Sequence, residues 1–272
     1  MPRPPRLLAG LFLVCCGTAQ ATAYTLYDDS LGSTPGTQPW LYAANDALLS
    51  GGVVTESVQV DGVNLSTDNP VSAGYANYLP IAGYKNAAFP LLDRAAGFTL
   101  EFELQLNSES HVNDNRAGFS VILLDSDHLG VEIAFWEDRV WAQNADFTQG
   151  EGTPFSTVGR EAFYQLGISG NSYGLFANGH SLLNGVLRDY SGAGPANPYA
   201  VQNFVFLGDD TSSAGADIDL GQITLRTGFY PQASVAAPSS LALLTAMLLI
   251  GRLRRTNQSF FRWGQSGLVQ RP

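Results

Sequence analysis

The sequence contains little charge, almost no lysine and almost no cysteine. Only 14% of its 272 residues are charged, against roughly 25% in an ordinary soluble domain, and its one lysine is Lys85. Acidic residues outnumber basic ones by 24 to 14, which gives a net charge of -10 at pH 7. An acidic chain that is poor in lysine repels nucleic acid and anionic lipid, because both are negatively charged. We therefore expect no nucleic-acid partner.

Cysteine occurs only at Cys15 and Cys16, inside an apolar run near the N-terminus. Two arginines precede this run, and Ala21-Thr22-Ala23 follows it. A positive start, an apolar segment and an A-x-A site are typical of a secretory signal peptide. The sequence predicts a signal peptide over residues 1–23, cleaved after Ala23 with Ala21 and Ala23 as the recognition residues. A short buried helix is the alternative. Cleavage leaves no cysteine, so stability comes from packing or from a metal.

The C-terminal end has the pattern of a membrane anchor. Residues 233–251 are 19 residues without a charge, and Arg252, Arg254 and Arg255 follow them. This length just suffices for a helix that crosses a bilayer, and an arginine cluster stays on the cytoplasmic side. With an exported N-terminus, the domain between the two ends is expected outside the membrane. A buried core helix is the alternative for this segment.

The same C-terminal pattern resembles the PEP-CTERM sorting signal of Gram-negative bacteria. The residues that carry the resemblance are Val235, Pro238, Ser239, Ser240, Arg252, Arg254 and Arg255. Ala236 and Ala237 replace the first proline and the glutamate of the motif, and 17 residues follow Arg255. The resemblance implies an exosortase-like sorting protease as partner and initial anchoring in the inner membrane. It also implies a final place in the cell envelope, on the outer surface or in an extracellular polysaccharide or biofilm matrix.

The predicted organisation follows from these two ends. It consists of a signal peptide (1–23), a β-sandwich domain (24–228), a linker with a degenerate sorting motif (229–238), a transmembrane segment with its arginine cluster (239–255) and a tail (256–272).

Between residues 24 and 228, apolar and polar residues alternate in short runs that are separated by Gly, Asn, Asp and Ser. Residues 98–106 show the clearest alternation, with apolar side chains at every second position. About eleven short strands and no helix predict one all-β sandwich. The predicted strands are 24–27, 75–79, 98–106, 118–124, 130–136, 139–143, 162–169, 172–177, 180–188, 203–207 and 216–225. Asn178-Gly179 predicts a type I′ hairpin turn, and Glu137-Asp138 a turn that brings Trp136 back towards Trp141.

Three of these stretches resemble the concanavalin A-like lectin/glucanase jelly roll, including its laminin-G-like modules. They are residues 118–136, the Tyr-x-Leu-x-x-Asn-Gly hairpin at residues 173–179, and residues 204–214 with the strand that follows. The resemblance implies a jelly-roll β-sandwich. It does not assign an activity, because folds of this kind carry many functions.

The catalytic candidates are Glu101 and Glu103, two carboxylates on the same face of one predicted strand. Glycosidases need such a pair, roughly 5–5.5 Å apart for retaining chemistry. The row is incomplete because Gln105 stands at the next position. A solvated polar face is the alternative. His111, His128 and His180 fall in predicted loops or turns without the spacing of metal ligands.

Calcium is a candidate ligand because four carboxylates lie within 11 residues around a Ser-Ser-Ala-Gly turn. Calcium prefers hard oxygen ligands from loops of this kind, and close carboxylates repel each other unless a cation or water screens them. A solvated acidic turn is the alternative. The four candidate residues are Asp209, Asp210, Asp217 and Asp219.

Glycan binding is the third possibility, because sugar sites on such sandwiches combine aromatic faces with polar loop groups. In residues 131–136, Val131, Ile133 and Phe135 share one face, and Glu132, Ala134 and Trp136 share the other. Trp136 therefore lies on a face with a carboxylate. The candidate ligand-binding residues are Trp136, Glu132, Trp141 and Asp114.

We therefore expect an exported β-sandwich that binds a polysaccharide or acts as an adhesive. A polysaccharide hydrolase or lyase on the same scaffold is one alternative, and a purely structural envelope or biofilm protein is the other.

Overall fold

The structure is a computed structural model that describes residues 21–45, 51–79, 84–192, 197–228 and 230–231. The predicted signal sequence up to residue 20, the sorting motif and the C-terminal apolar segment lie outside these residues. Across the described part of the chain, no helix is long and apolar enough to cross a membrane. The description that follows concerns the predicted β domain.

The described residues form eighteen strands in chain order. They are β1 (Thr22–Tyr27), β2 (Leu41–Ala44), β3 (Val54–Gln59), β4 (Gly62–Thr67), β5 (Ala73–Ala76), β6 (Tyr78–Leu79), β7 (Tyr84–Lys85), β8 (Phe98–His111), β9 (Phe119–Leu124), β10 (Leu129–Phe135), β11 (Arg139–Gln143), β12 (Gln149–Pro154), β13 (Ala162–Ser169), β14 (Ser172–Ala177), β15 (His180–Val186), β16 (Arg188–Asp189), β17 (Val205–Asp209) and β18 (Ala214–Thr227).

Two antiparallel sheets of eight strands each contain almost all of them. Sheet I has the order β15-β14-β13-β8-β18-β4-β3, and β1 also pairs with β18. Sheet II has the order β12-β11-β10-β9-β17-β5-β2, and β16 also pairs with β10. The prediction of an all-β sandwich made of antiparallel sheets is therefore confirmed.

The core lies between the two sheets and follows from the alternation in the sequence. Every second residue of β8 from Phe98 to Leu106 is at most 2% exposed, and these side chains belong to the main apolar cluster. Phe102 of β8 stacks on Tyr164 at 5.4 Å and meets the edge of Phe135 from sheet II at 6.3 Å. Because strand residues alternate between faces, the intervening positions of β8 lie on the outer face of sheet I.

Both predicted turns are confirmed. Asn178 and Gly179 have φ values of 50° and 76°, and Ala177 pairs directly with His180. Positive φ at both central residues is the type I′ geometry, which suits the twist of a hairpin. The backbone N–H of Trp136 donates to the carbonyl of Arg139 at 2.9 Å, so Glu137 and Asp138 form the turn between β10 and β11.

The sequence prediction missed strands β2, β3, β4 and β12. Strand β12 has the sequence Gln-Gly-Glu-Gly-Thr-Pro, which contains no apolar alternation. Strand β3 lies at the edge of sheet I and is mostly exposed, so its alternation is weak. Strands β3 and β12 pair with the neighbouring strands β4 and β11, whereas β2 and β4 also depend on partners farther along the chain, β5 and β18.

Candidate functional site

Among the described residues, the polar side chains on the outer face of sheet II have the most unusual surroundings. As predicted, Val131, Ile133 and Phe135 of β10 enter the core, while Glu132 and Ala134 lie on the opposite face. Ala134 pairs with Ser120 of β9, which pairs with Gly208 of β17, which pairs with Gly74 of β5. This row of small residues crosses the sheet. Because their side chains are short, the outer surface of the sheet is depressed along the row.

A cleft of about 490 Å³ lies on this face over β5, β9 and β17. The sheet contributes Gly74, Ala76, Ile122 and Phe206 to it, and neighbouring segments contribute Asn45, Tyr78, Pro198 and Asp210. A Cβ atom at Gly74 would stand 2.6 Å from the ring of Phe206. Glycine at this position therefore lets the Phe206 ring lie flat across β5, and the ring forms part of an apolar surface.

Tyr199 is positioned beside the cleft by a short 3-10 turn, Pro198–Ala200. The side chain of Asn197 caps this turn by accepting a hydrogen bond from the backbone N–H of Tyr199 at 3.0 Å. The Tyr199 ring packs against Tyr190 at 4.9 Å and against the edge of Phe147 at 5.2 Å. These contacts fix the phenol hydroxyl over Glu132.

Tyr199 joins two carboxylates. Its hydroxyl lies within hydrogen-bond distance of Glu132 Oε2 and, at 3.0 Å, of Asp210 Oδ2. Ser120 donates to Asp210 Oδ1 at 3.2 Å. A phenol has one hydrogen, so it can donate to only one carboxylate at a time. The arrangement is complete when one carboxyl is protonated and donates to the phenol oxygen.

Burial sets the protonation of this group. Glu132 is 3% exposed, and burial together with the charge of Asp210 raises the pKa of Glu132 well above its usual range. Asp210 is an exposed residue that lines the cleft, and partial burial of its carboxyl group also raises its pKa. The positive charge of Arg116 opposes both shifts. We therefore expect the proton to reside on Glu132 and the negative charge on Asp210.

Asp209 borders the cleft but is 2% exposed. It accepts hydrogen bonds from Thr67 Oγ1 at 2.8 Å and from the backbone N–H of Thr211 at 3.0 Å. Because β17 belongs to sheet II and Thr67 to sheet I, this carboxyl ties the two sheets together. Burial raises the pKa of Asp209 to about 8.

Two of the predicted ligand-binding residues are not available to a ligand. The Trp141 side chain is 0% exposed and packs with Ala117, Ala134 and Trp136. Glu132 is buried under Tyr199. The prediction that these two residues contact a ligand directly is therefore wrong for the structure described here, because neighbouring segments cover them.

The other two predicted ligand-binding residues keep access to solvent. Trp136 is half-buried, stacks on His111 with ring centres 4.2 Å apart, and donates from Nε1 to the carbonyl of Arg116 at 2.8 Å. Asp114 is exposed between Asn113 and Asn115. Both lie outside the cleft lining, so their role in binding stays a prediction.

The four aspartates predicted as a calcium site separate into two places. Asp209 and Asp210 lie at the end of β17, whereas Asp217 and Asp219 lie on β18 in sheet I. Asn64 Nδ2 donates to the Asp217 and Asp219 carboxylates at 2.7 and 2.9 Å, and Asn107 Nδ2 donates to both as well. In the described ranges, no group of three or more His, Cys, Asp or Glu side chains could hold a metal ion. The predicted four-carboxylate site is not formed.

In the predicted catalytic pair on β8, Glu101 is bound by other side chains of the protein. Glu101 is 5% exposed, forms an ion pair with Arg226 Nε at 2.7 Å, and accepts from Gln165 Nε2 at 2.9 Å. Burial, with the charges of Glu161 and Asp29, raises the pKa of Glu103. Because Glu101 is buried and its charge is balanced by Arg226, Glu101 is not available to act with Glu103 as a catalytic pair.

The three histidines are dispersed over the fold. His111 Nδ1 lies 3.0 Å from the Glu109 carboxylate, and His128 Nε2 lies 2.9 Å from the carbonyl of Ala200. His180 is exposed at the start of β15. None of them lines the cleft.

The cleft was not visible in the sequence, since its walls come from residues 43–45, 72–79 and 198–210. No short motif links these segments. The sequence predicts Asp210 as a metal ligand, because it stands next to another aspartate, and not as a residue of this cleft. The sequence feature most closely related to the cleft is the small size of Gly74 and Gly208. It indicates a depression in the sheet only when the strand register that pairs these two residues is known.

No protein-family model matches this sequence, and no curated protein matches it. Among solved structures, a carbohydrate esterase of the Shiga toxin-encoding bacteriophage phi24B is similar with a TM-score of 0.48 and 14% identity, over 76% of this chain and 99% of that one. The Crh5 transglycosylase has a TM-score of 0.45 and 12% identity, over 80% and 88% of the two chains. The carbohydrate-binding module CBM66 from Bacillus subtilis has a TM-score of 0.37 and 10% identity, over 65% and 96%. Likeness at this level does not transfer an activity to this chain.

Proposed function

We propose that this protein is an exported cell-surface or matrix component with a concanavalin A-like jelly-roll domain that binds a glycan. The observation that carries the proposal is the cleft on the outer face of sheet II. Its volume of about 490 Å³ falls within the range of roughly 300–1,000 Å³ that is usual for ligand pockets. The cleft is open to solvent on a face that the core does not use.

The composition of the cleft suits a sugar ring. The half-buried ring of Tyr78 provides aromatic surface in the cleft beside Phe206, which is only 9% exposed, and the C–H face of a sugar can pack on such a ring. Asn45 and Asp210 provide polar groups at the margin. A carboxylate is an acceptor for two or more hydroxyl donors, so Asp210 can bind the hydroxyl groups of the same ring.

Binding fits this geometry better than hydrolysis. A glycosidase needs two carboxyl groups that both reach the scissile bond, roughly 5–9.5 Å apart. Of the two carboxyl groups that line the cleft, Asp210 is exposed and Asp209 is 2% exposed and hydrogen-bonded to Thr67 and Thr211. Among the described residues of the lining, Asp210 therefore has the only carboxylate that can touch a glycan.

The proposal includes the cellular location of the protein. The signal-peptide pattern and the C-terminal arginine cluster support export, membrane attachment and handling by an exosortase-like protease. Fusion of residues 229–272 to a periplasmic reporter tests the anchor. A reporter recovered in the membrane fraction supports it, and a soluble reporter contradicts it.

The binding proposal is tested with the full chain, purified in detergent, on a glycan array. The variant Ala43→Trp places an indole in the cleft from a position that pairs with Gly74 and points away from the core. We expect it to abolish binding. Ala96→Trp, at an exposed position outside the cleft, is the matched control and should bind normally. Equal binding by both variants, or no binding by the unmodified chain, contradicts the proposal.

A further inference from the structure

All charge in the cleft has one sign. Of the described residues that line it, only Asp209 and Asp210 have acidic side chains, and no Lys or Arg is among them. Asp209 uses its carboxylate to join the sheets, so Asp210 determines the charge that a ligand meets. A glycan that carries carboxylates is repelled there, and a neutral glycan gains hydrogen bonds only.

The group around Tyr199 contains two carboxyl groups, and the charge of the nearby Arg116 acts on both. Two carboxylates share one phenol hydrogen, and they need either an additional proton or a cation. Arg116 donates to the carbonyls of Asn115 and Phe147, so these two bonds do not satisfy either carboxylate. A cation that enters the cleft meets Asp210, which lines the cleft and is an exposed residue.

We infer that the glycan bound in this cleft contains an amino sugar with a free ammonium group, which pairs with the Asp210 carboxylate. The inference rests on the proposed function and specifies its ligand class. Each Asp210 oxygen accepts one hydrogen bond from the protein, from Ser120 or from Tyr199. A carboxylate has about four acceptor sites, so acceptor sites remain for an ammonium group.

An ammonium group can also take the place of the proton that Glu132 holds when no ligand is bound. Its charge lowers the energy of the doubly ionised state of Glu132 and Asp210, because opposite charges favour the charged forms. A charge-assisted hydrogen bond is roughly twice as strong as a neutral one. An amino sugar should therefore bind more tightly than the same sugar with a hydroxyl group at that position.

The test uses titration calorimetry of the full chain in detergent at pH 6.0 and low salt. The probes are the β-1,4-linked tetramers of glucosamine and of glucose, which differ only in an amino or hydroxyl group at the 2-position. We expect the glucosamine tetramer to bind at least about tenfold more tightly, which corresponds to one charge-assisted contact. Asp210→Asn should reduce this ratio to less than about threefold, and the control Asp138→Asn, at an exposed position outside the cleft lining, should preserve it.

A second measurement needs no variant. In the unmodified chain, added salt should weaken binding of the glucosamine tetramer and leave the glucose tetramer almost unchanged, because salt screens charge pairs. Equal affinity for both tetramers, or a preference that survives in Asp210→Asn, overturns the inference and leaves the proposed glycan binding standing. Binding of neither tetramer also overturns the inference. The proposed function fails separately, if the glycan array is blank or if Ala43→Trp and Ala96→Trp bind equally.

Discussion

Acidic residues have different kinds of partner on the outer faces of the two sheets. On sheet I, Glu101 is neutralised by Arg226, and the amides of Asn64 and Asn107 lie between Asp217 and Asp219. On sheet II, Glu132 and Asp210 share the hydroxyl of Tyr199. On the first face, an arginine balances Glu101, and two shared amides donate hydrogen bonds to Asp217 and Asp219. The second keeps a charge that a proton or a ligand must balance, and it is the face with the cleft.

The largest expected effect concerns buried acids at sheet II. The pKa of Asp209 is raised to about 8, whereas an unfolded Asp has a pKa near ~3.9. The folded state therefore keeps a proton that the unfolded state loses, and stability falls as pH rises from about 4 to about 8. We expect a loss on the order of 3 kcal/mol, after allowance for relaxation around the carboxyl. Denaturant unfolding at several pH values measures it.

The variant Asp209→Asn should remove most of this pH dependence and should be more stable than the unmodified protein at pH 8. Glu132→Gln should remove a further part, because the pKa of Glu132 is raised as well. The exposed Asp114→Asn is the control and should keep the full dependence. Identical pH profiles for Asp209→Asn and the unmodified chain would show that this carboxyl is not a buried acid.

The next effect concerns the shared hydroxyl. Tyr199→Phe leaves Glu132 and Asp210 without their common donor, and loss of a partner from a buried polar group costs about 2 kcal/mol. Tyr164→Phe is the matched control. Tyr164 is 1% exposed and stacks on Phe102, but its hydroxyl makes no hydrogen bond with the residues described here, so its loss should cost less than about 0.5 kcal/mol. Chemical denaturation compares the two, and equal losses would contradict the role given to Tyr199.

A smaller effect is expected on sheet I. Arg226→Gln removes the ion partner of Glu101, whose side chain is 7% exposed, while the Arg226 side chain itself is 40% exposed. Solvent screening at Arg226 weakens the pair, so we expect a loss of about 1 kcal/mol rather than the larger cost of a fully buried pair. The loss should shrink at high salt. A loss that does not depend on salt would indicate packing by the arginine stem instead.

The smallest effect is predicted for Asp217→Asn. The new amide keeps an oxygen that accepts from Asn64 and Asn107, and the substitution removes repulsion from Asp219 on the same face. The free energy of unfolding should change by less than about 0.5 kcal/mol. Thermal unfolding with and without calcium provides the measurement. Clear destabilisation, or a stabilisation by calcium that this variant loses, would mean that Asp217 holds a cation.

The alternation of apolar and polar residues predicted most strands and the face of the sheet on which each side chain lies. It did not predict which of those faces other segments of the chain cover. The pattern from Val131 to Trp136 correctly separated core residues from outer ones. Trp141 was expected to meet a ligand because it is an aromatic residue near the middle of the chain, but packing by Ala117 and Trp136 covers it. A period of two identifies the side of a sheet and contains no information on which loop lies over that side.

The cleft and the Tyr199 group could not be predicted for a related reason. Glu132 and Asp210 are 78 positions apart in the sequence, and a third segment brings Tyr199 between them. Their meeting depends on the strand register of sheet II and on the turn at Pro198–Ala200. Neither the register nor the loop path follows from residue types alone.

The pairing of β18 has a mechanical consequence. This last strand of the described domain is hydrogen-bonded to β8 along nearly its whole length, and also to β4 and β1. A pull on the chain beyond Thr227 acts along the axis of β18, so several rows of hydrogen bonds have to shear together instead of opening one at a time. A domain that binds a matrix and is tied down at its C-terminal end would meet tension in the direction in which it is best able to resist.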